Sequence, residues 1–286
     1  MTEPAGPVEP VLARKMWRTL EPFHGFVYFS RDAAAEYLAV GLAEGRMGYF
    51  ASRSAPMGAV TADVVTATFF NFDPGLVERS MDGAWDLASP AAVHEARLRG
   101  VDAGLRSALG GAWIASPEMY EALALARTAA EACTVPGRPL YAGHASLPWP
   151  EEPHLQLWLA VTLVREFRGD GHVAALTVEG LTGIEALHLH AASGEVPASI
   201  LQASRGWSDE AWSAAGARLD EQDLTDGHGG LAVDGVAVRQ RIEDTTDRLA
   251  LAPWQHLGQD GSDRLRELVR PWSKAIVAGS GFGFRS

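Results

Sequence analysis

Three polar residues near the N-terminus carry the clearest chemical pattern in this sequence. Glu21, His24 and Tyr28 stand at i, i+3 and i+7, so a helical segment would bring a carboxylate, an imidazole and a phenol to one face. Such a trio could exchange protons or hydrogen-bond a ligand. A purely structural role would have Glu21 cap a helix begun at Pro22, with the two rings half-buried. Further along, Arg53 sits in the apolar stretch Tyr49–Gly58 and His144 in the stretch Leu140–Pro150. Together they could hold an anionic or carbonyl-bearing molecule between two halves of the chain, although Arg53 could equally make one structural ion pair. Arg165, Glu166, Arg168, Asp170 and His172 form the densest charged cluster. It follows an apolar helix, where buried charges must be paired, so an arginine–carboxylate network is the first reading. The Asp170-x-His172 step could alternatively orient an imidazole for proton transfer. Catalytic candidates are therefore His24, Tyr28 and His172. Ligand-binding candidates are His24, Tyr28, Arg53, His144, Trp149, Trp158 and Arg165, the two tryptophans as walls for a flat molecule.

Several chemistries find no support. His188 and His190 are two apart, about 200° round a helix, and make a poor chelate. No His-x-x-x-His, Cys-x-x-Cys or Asp-rich loop is present, so no metal is expected. Gly279–Phe284 has the glycines of a phosphate loop without a following helix, and no Gly-x-Ser-x-Gly occurs. No motif assigns a cofactor. Cys133 is the only cysteine; it reads as core filler, and a cytoplasmic setting is expected.

The elements that position these residues are predominantly helical. Pro10–Leu20 has helical spacing, and Pro22 is expected to reset the chain into a short aromatic turn or helix over residues 23–29. Ser30 caps a helix Arg31–Leu42. Tyr49–Gly58 reads as a loop, followed by a helix Val60–Phe72. Pro74 opens a short helix, and Ser89-Pro90 and Ser116-Pro117 open helices Pro90–Leu109 and Pro117–Cys133. Leu140–Pro150 reads as a second loop resembling the first, again followed by an apolar helix, Leu155–Phe167. If that repeat is real, the chain contains an internal pseudo-duplication. Arg168–Gly171 reads as a turn before a helix from His172. Helices Gly183–Ala192, Ile200–Ser204 and Asp209–Gln222 follow, then a glycine-tipped hairpin Leu224–Val233 and a closing helix Val236–Leu251. The expected domains are a helical one over 10–135 and a winged helix over 136–278, flanked by tails 1–9 and 279–286.

The phrases Trp207-Ser208-Asp209-Glu210-Ala211-Trp212 and Arg241-Ile242-Glu243-Asp244-Thr245-Thr246-Asp247 lie in an order of helices, wing and closing helix that resembles the MarR-type winged-helix regulators. With Glu21–His24, Phe69–Phe72 and Arg165–His172, the whole chain resembles an actinobacterial family of MarR-like helix-turn-helix proteins of unsettled activity. That resemblance implies a scaffold and no chemistry. It would make Asp209–Gln222 the DNA-reading helix. Between Arg205 and Gly230, however, two arginines face six carboxylates, and the whole chain carries a formal charge of −12. Phosphate contacts need the opposite sign. The leading expectation is a small-molecule-binding protein with a degenerate DNA-binding face, its ligand aromatic or anionic, and its pocket between the halves. The rivals are a ligand-responsive DNA-binding regulator using another face, such as Arg97, Arg99 and Arg106, and an enzyme of specialised metabolism with a histidine acid–base. No apolar run is long enough to cross a bilayer, and a monomer or homodimer is expected.

Overall fold

A computed structural model describes residues 8–279. The chain is mostly helical, and among the described residues the only β pairing is a single antiparallel bridge between Thr225 and Leu231. Contacts divide it into two compact units, interleaved in sequence rather than split near residue 135 as the linear reading has it. Unit 1 takes Met1–Ala59, Gly83–Asp170 and Asp247–Ser286; unit 2 takes Val60–Asp82 and Gly171–Thr246.

In unit 1, α1 (Val11–Gly25) runs straight through Pro22 and continues as a 3-10 turn, Phe26–Tyr28. The expected reset at Pro22 does not occur. Proline removes one backbone bond and disfavours a helix interior, but here Leu20, Phe23, His24 and Gly25 on either side of it are all buried, which offsets that cost. Ser30 caps α2 (Arg31–Ala39), its Oγ accepting from the Ala33 N–H. α2 ends three residues earlier than its spacing implies, just before Gly41 turns at φ +97°.

The two expected loops are both helical. Met47–Ser54 forms α3, with a 3-10 turn Ala55–Met57; Pro139–Ala145 forms a further short helix. Serine and glycine content misleads here, because these side chains are used for close packing. A Cβ on Gly143 would stand 2.8 Å from the Pro56 carbonyl oxygen, so the two similar segments meet each other.

α4 (Ala62–Phe69) and α5 (Pro74–Met81) belong to unit 2, and α6 (Ala84–Leu87) and α7 (Pro90–Ile114) to unit 1. α8 is Pro117–Glu131 and the Pro139–Ala145 helix is α9. α10 is one helix, Pro153–Val178, passing through the expected turn at Arg168–Gly171. Two helical glycines cost only about 1 kcal/mol each, and burial of Arg168 and Asp170 holds the helix through them. α15 (Ala252–Gly279) has no counterpart in the sequence reading and is kinked at Gly258. It packs along α1 and α8, with Trp272 against Phe23 at 6.3 Å between ring centroids and the Ser273 hydroxyl donating to the Thr19 carbonyl at 2.7 Å.

In unit 2, α11 (Gly183–Ala192) begins at a capping box of Thr182 and Glu185. α12 (Ala198–Arg205), α13 (Asp209–Glu221) and α14 (Val233–Leu249) follow, α14 running past the unit boundary. Leu176, Leu181, Leu189, Leu219, Leu224, Val238 and Ile242 form its core. The wing is reduced to the Thr225–Leu231 bridge, its tip held by Asp226, which accepts from the His228 and Gly230 amides. Of the expected tails, residues 1–7 and 280–286 lie outside the described residues.

Candidate functional site

Unit 1 holds a buried polar cluster contributed by α1, α3, α7, α9 and α10. His24 is fully buried and stacks on Trp158, 5.8 Å between centroids at 8°. Its Nδ1 lies 2.9 Å from the Thr162 hydroxyl and its Nε2 2.7 Å from the Tyr28 hydroxyl. Thr162 Oγ1 is itself 2.8 Å from the Trp158 carbonyl. Two oxygens that close need a proton between them, so Thr162 donates to the carbonyl and accepts from His24 Nδ1–H. Nε2 is then the bare nitrogen, and the Tyr28 hydroxyl donates to it. Arg97 completes the chain, donating from Nη2 to Tyr28 at 3.2 Å and from Nη1 to the Ser52 carbonyl at 2.9 Å.

The electrostatics follow from burial. Burial, reinforced by Arg165 and Arg97 and opposed by Glu166, holds His24 well below the ordinary imidazole range, so the ring is neutral. Burial also raises Tyr28, against the pull of Arg53 and Arg97. His144 is pushed down to about 4, first by burial; its Nδ1 donates to the Leu140 carbonyl at 2.9 Å. Burial alone would raise Glu166, but Arg165, Arg53, His24 and His144 together hold it well below the usual carboxylate range. Arg165 binds Glu166 at 2.8 Å and Glu21 at 3.2 Å. Glu166 is therefore the ionised counter-charge of the cluster, 3.7 Å from His24 Nε2.

Arg97 is 1% exposed and, among the described residues, has no carboxylate partner. Its guanidinium lies over the rings of Tyr28 (5.5 Å) and Trp158 (5.1 Å), a cation–π setting that substitutes in part for an ion pair.

In front of this cluster lies a cleft of about 340 Å³, in the size range of small-molecule sites. Tyr28, Tyr37, Tyr49 and Ser52 line it with apolar Val27 and Leu38, and Glu44 is among its residues. All come from the stretch 27–52, within unit 1, so the cleft is not made between two sequence halves. Arg53 stands behind two of the tyrosines, donating to the Tyr49 hydroxyl at 2.7 Å and lying over both the Tyr28 and Tyr49 rings.

Of the sequence-level candidates, His24, Tyr28, Arg53, Trp158 and Arg165 come together, and His144 is near enough to bear on Glu166. Trp149 does not join them: it is 37% exposed, under the Arg127 guanidinium. His172 belongs to unit 2, where its Nδ1 meets the Thr246 hydroxyl at 2.9 Å. Arg168 pairs with Asp247 at 2.8 Å, and Asp170 accepts from the Tyr141 amide, as the structural-network reading has it. The site residues missed are Tyr37, Tyr49, Ser52, Arg97 and Thr162. The rival regulator reading offers Arg97 as part of a DNA face, and its burial removes it from any such face. Arg99 and Arg106 are taken by Glu36 and Asp102, so these three form no free basic strip. The i, i+4 spacing of Trp158 and Thr162 was the one available signal. Cys133 is half-buried and its thiol is pushed up to about 12 by burial, which leaves it unreactive.

The charge of unit 2 is strongly asymmetric. Its 99 residues hold sixteen carboxylates and five arginines, a formal −11 out of the chain's −12. On α13, Asp209, Glu210, Asp220 and Glu221 are exposed, and Arg218 is tied to Glu185 at 2.9 Å. Among the described residues no cluster of metal-ligating side chains occurs, and no helix is long and apolar enough to cross a membrane.

Comparison with curated proteins and with solved structures gives no match. One family, described as a helix-turn-helix family, matches residues 13–283. That match takes in both units, the polar cluster and the acidic α13 alike, and the chain belongs to this helix-turn-helix family.

Proposed function

We propose that this protein binds a small, planar organic molecule in the Tyr28–Tyr37–Tyr49 cleft, on a MarR-like scaffold that has lost its DNA-facing charge. The observation carrying the reading is the cleft itself, lined by Tyr28 and Tyr49, whose hydroxyls are each held by a buried arginine. Anchored phenols are pre-oriented for a ligand, and that lowers the ordering cost of binding. Aromatic walls favour a flat ring system. The acidity of unit 2 supports the second half of the reading, since phosphate contacts supply most of the affinity of DNA-binding proteins.

Calorimetric titration with 2-naphthol, a two-ring probe suited to the cleft, tests it. Ala34 lines the cleft and is exposed, so Ala34→Trp fills the space without entering the core. Micromolar binding by the wild type, lost in Ala34→Trp at an unchanged melting temperature, is the expected result. Binding that survives this variant places the ligand elsewhere and refutes the assignment.

A further inference from the structure

The hydrogen-bond chain behind the cleft has a direction, and it ends on Tyr28, a residue that lines the cleft. Tyr28 has one hydroxyl proton and two lone pairs. The proton goes to His24 Nε2, and one lone pair receives Arg97. What the Tyr28 hydroxyl has left is an acceptor lone pair, on a residue that lines the cleft. The proton placement depends on Thr162, which is buried on α10 and lies two hydrogen bonds from the Tyr28 hydroxyl. Its own proton is committed to the Trp158 carbonyl, which obliges His24 to keep a hydrogen on Nδ1. A second proton on His24 would reverse the last link, because Nε2–H would then donate to Tyr28. Burial together with Arg165, Arg97 and His144 opposes that state, and Glu166 alone favours it.

Building on the cleft reading above, we propose that Thr162 is a specificity-positioning residue: through the His24 tautomer it makes Tyr28 a hydrogen-bond acceptor and selects neutral ligands bearing a hydroxyl. The neighbouring Arg53 and Arg97 disfavour an ammonium donor. A carboxylate or an ether offers Tyr28 no proton. The ligand class is thus a hydroxylated aromatic, such as a phenol or naphthol.

Two probes of the same skeleton separate the possibilities: 2-naphthol, which donates and accepts, and 2-methoxynaphthalene, which only accepts. Wild type is expected to prefer 2-naphthol about tenfold, the scale of one hydrogen bond. In Thr162→Val, isosteric but without the acceptor, the imidazole proton moves to Nε2 and the Tyr28 hydroxyl turns toward the cleft. The expected result is about tenfold tighter binding of 2-methoxynaphthalene with 2-naphthol little changed. Because both proteins meet the same added methyl group, its bulk cancels in this comparison. Thr162→Ser restores the acceptor and should restore the wild-type preference. A gain in affinity is not what a packing defect produces.

If Thr162→Val weakens both probes alike or changes neither, the inference is overturned while the cleft reading stands. If neither probe binds the wild type, both fall. Should Thr162→Val not fold, ¹⁵N NMR of the wild-type His24 ring decides. A bare Nε2 supports the assignment, and a protonated Nε2 with bare Nδ1 overturns it.

Discussion

Two buried carboxylates on α10 respond to pH in opposite senses. Asp170, 8% exposed, is raised from 3.8 to about 6, first by burial and partly offset by the Tyr141 amide it accepts from. The folded protein therefore holds this proton more tightly than the unfolded chain does. Its contribution is full below the unfolded value and is lost as pH rises to about 6. That rise from 3.8 to about 6 corresponds to about 3 kcal/mol. Asp170→Asn keeps an oxygen for the Tyr141 amide, so urea melts of this variant should lose that slope between pH 4 and 6 and show equal or greater stability at pH 7. A wild-type slope retained in the variant would assign the effect to another group. Glu166 is depressed, so its contribution is present above the ordinary glutamate range and is lost as pH falls. It neutralises Arg165 and offsets Arg53. Glu166→Gln preserves the shape and removes the charge, and should cost about 3 kcal/mol in urea unfolding, the scale for breaking a buried pair.

Helix contacts in both units depend on glycines that bring backbones together. A Cβ on Gly183, at the start of α11, would stand 2.0 Å from the Phe70 carbonyl oxygen. That oxygen is backbone and cannot rotate away. Gly183→Ala should therefore destabilise by about 3 kcal/mol, at the upper end of overpacking costs, although alanine is the better helix former. A thermal melt that rises or stays level in Gly183→Ala would contradict the close approach. In unit 1, a Cβ on Gly100 would stand 2.5 Å from the Ala33 Cα where α7 crosses α2. These approaches fix α2 and α7, and with them Tyr37 and Arg97 on two sides of the site. The starts of α2, α7 and α8 were readable from Ser30, Ser89 and Ser116, each of which accepts a backbone N–H as an N-cap, because a cap is local chemistry.

Charge is divided unevenly in the molecule: unit 2 bears −11, while unit 1 is nearly neutral and contains the cleft. Fluorescence anisotropy with a labelled 30-base-pair duplex should show no saturable binding at micromolar protein and about 0.1 M salt, since few phosphates could be neutralised. A steep, salt-sensitive isotherm would restore the regulator reading. Lowering the salt should bring no gain, because weaker screening strengthens repulsion between like charges as much as attraction between unlike ones.

The sequence by itself determined the helical class, most helix starts, the acidity of α13 and the face shared by His24 and Tyr28. Each rests on local chemistry: periodicity, capping residues and formal charge. Its errors fell where distant packing overrode local preference, at Pro22, at the two supposed loops and at Arg168–Gly171. Only the tertiary structure decided that Arg97 is buried rather than exposed, that His172 and Trp149 stand apart from the site, and that Thr162 governs the His24 proton. Those facts depend on residues 69 to 138 positions apart meeting inside one core. No spacing rule encodes such contacts, because they arise from how α1, α7 and α10 pack rather than from how any of them forms.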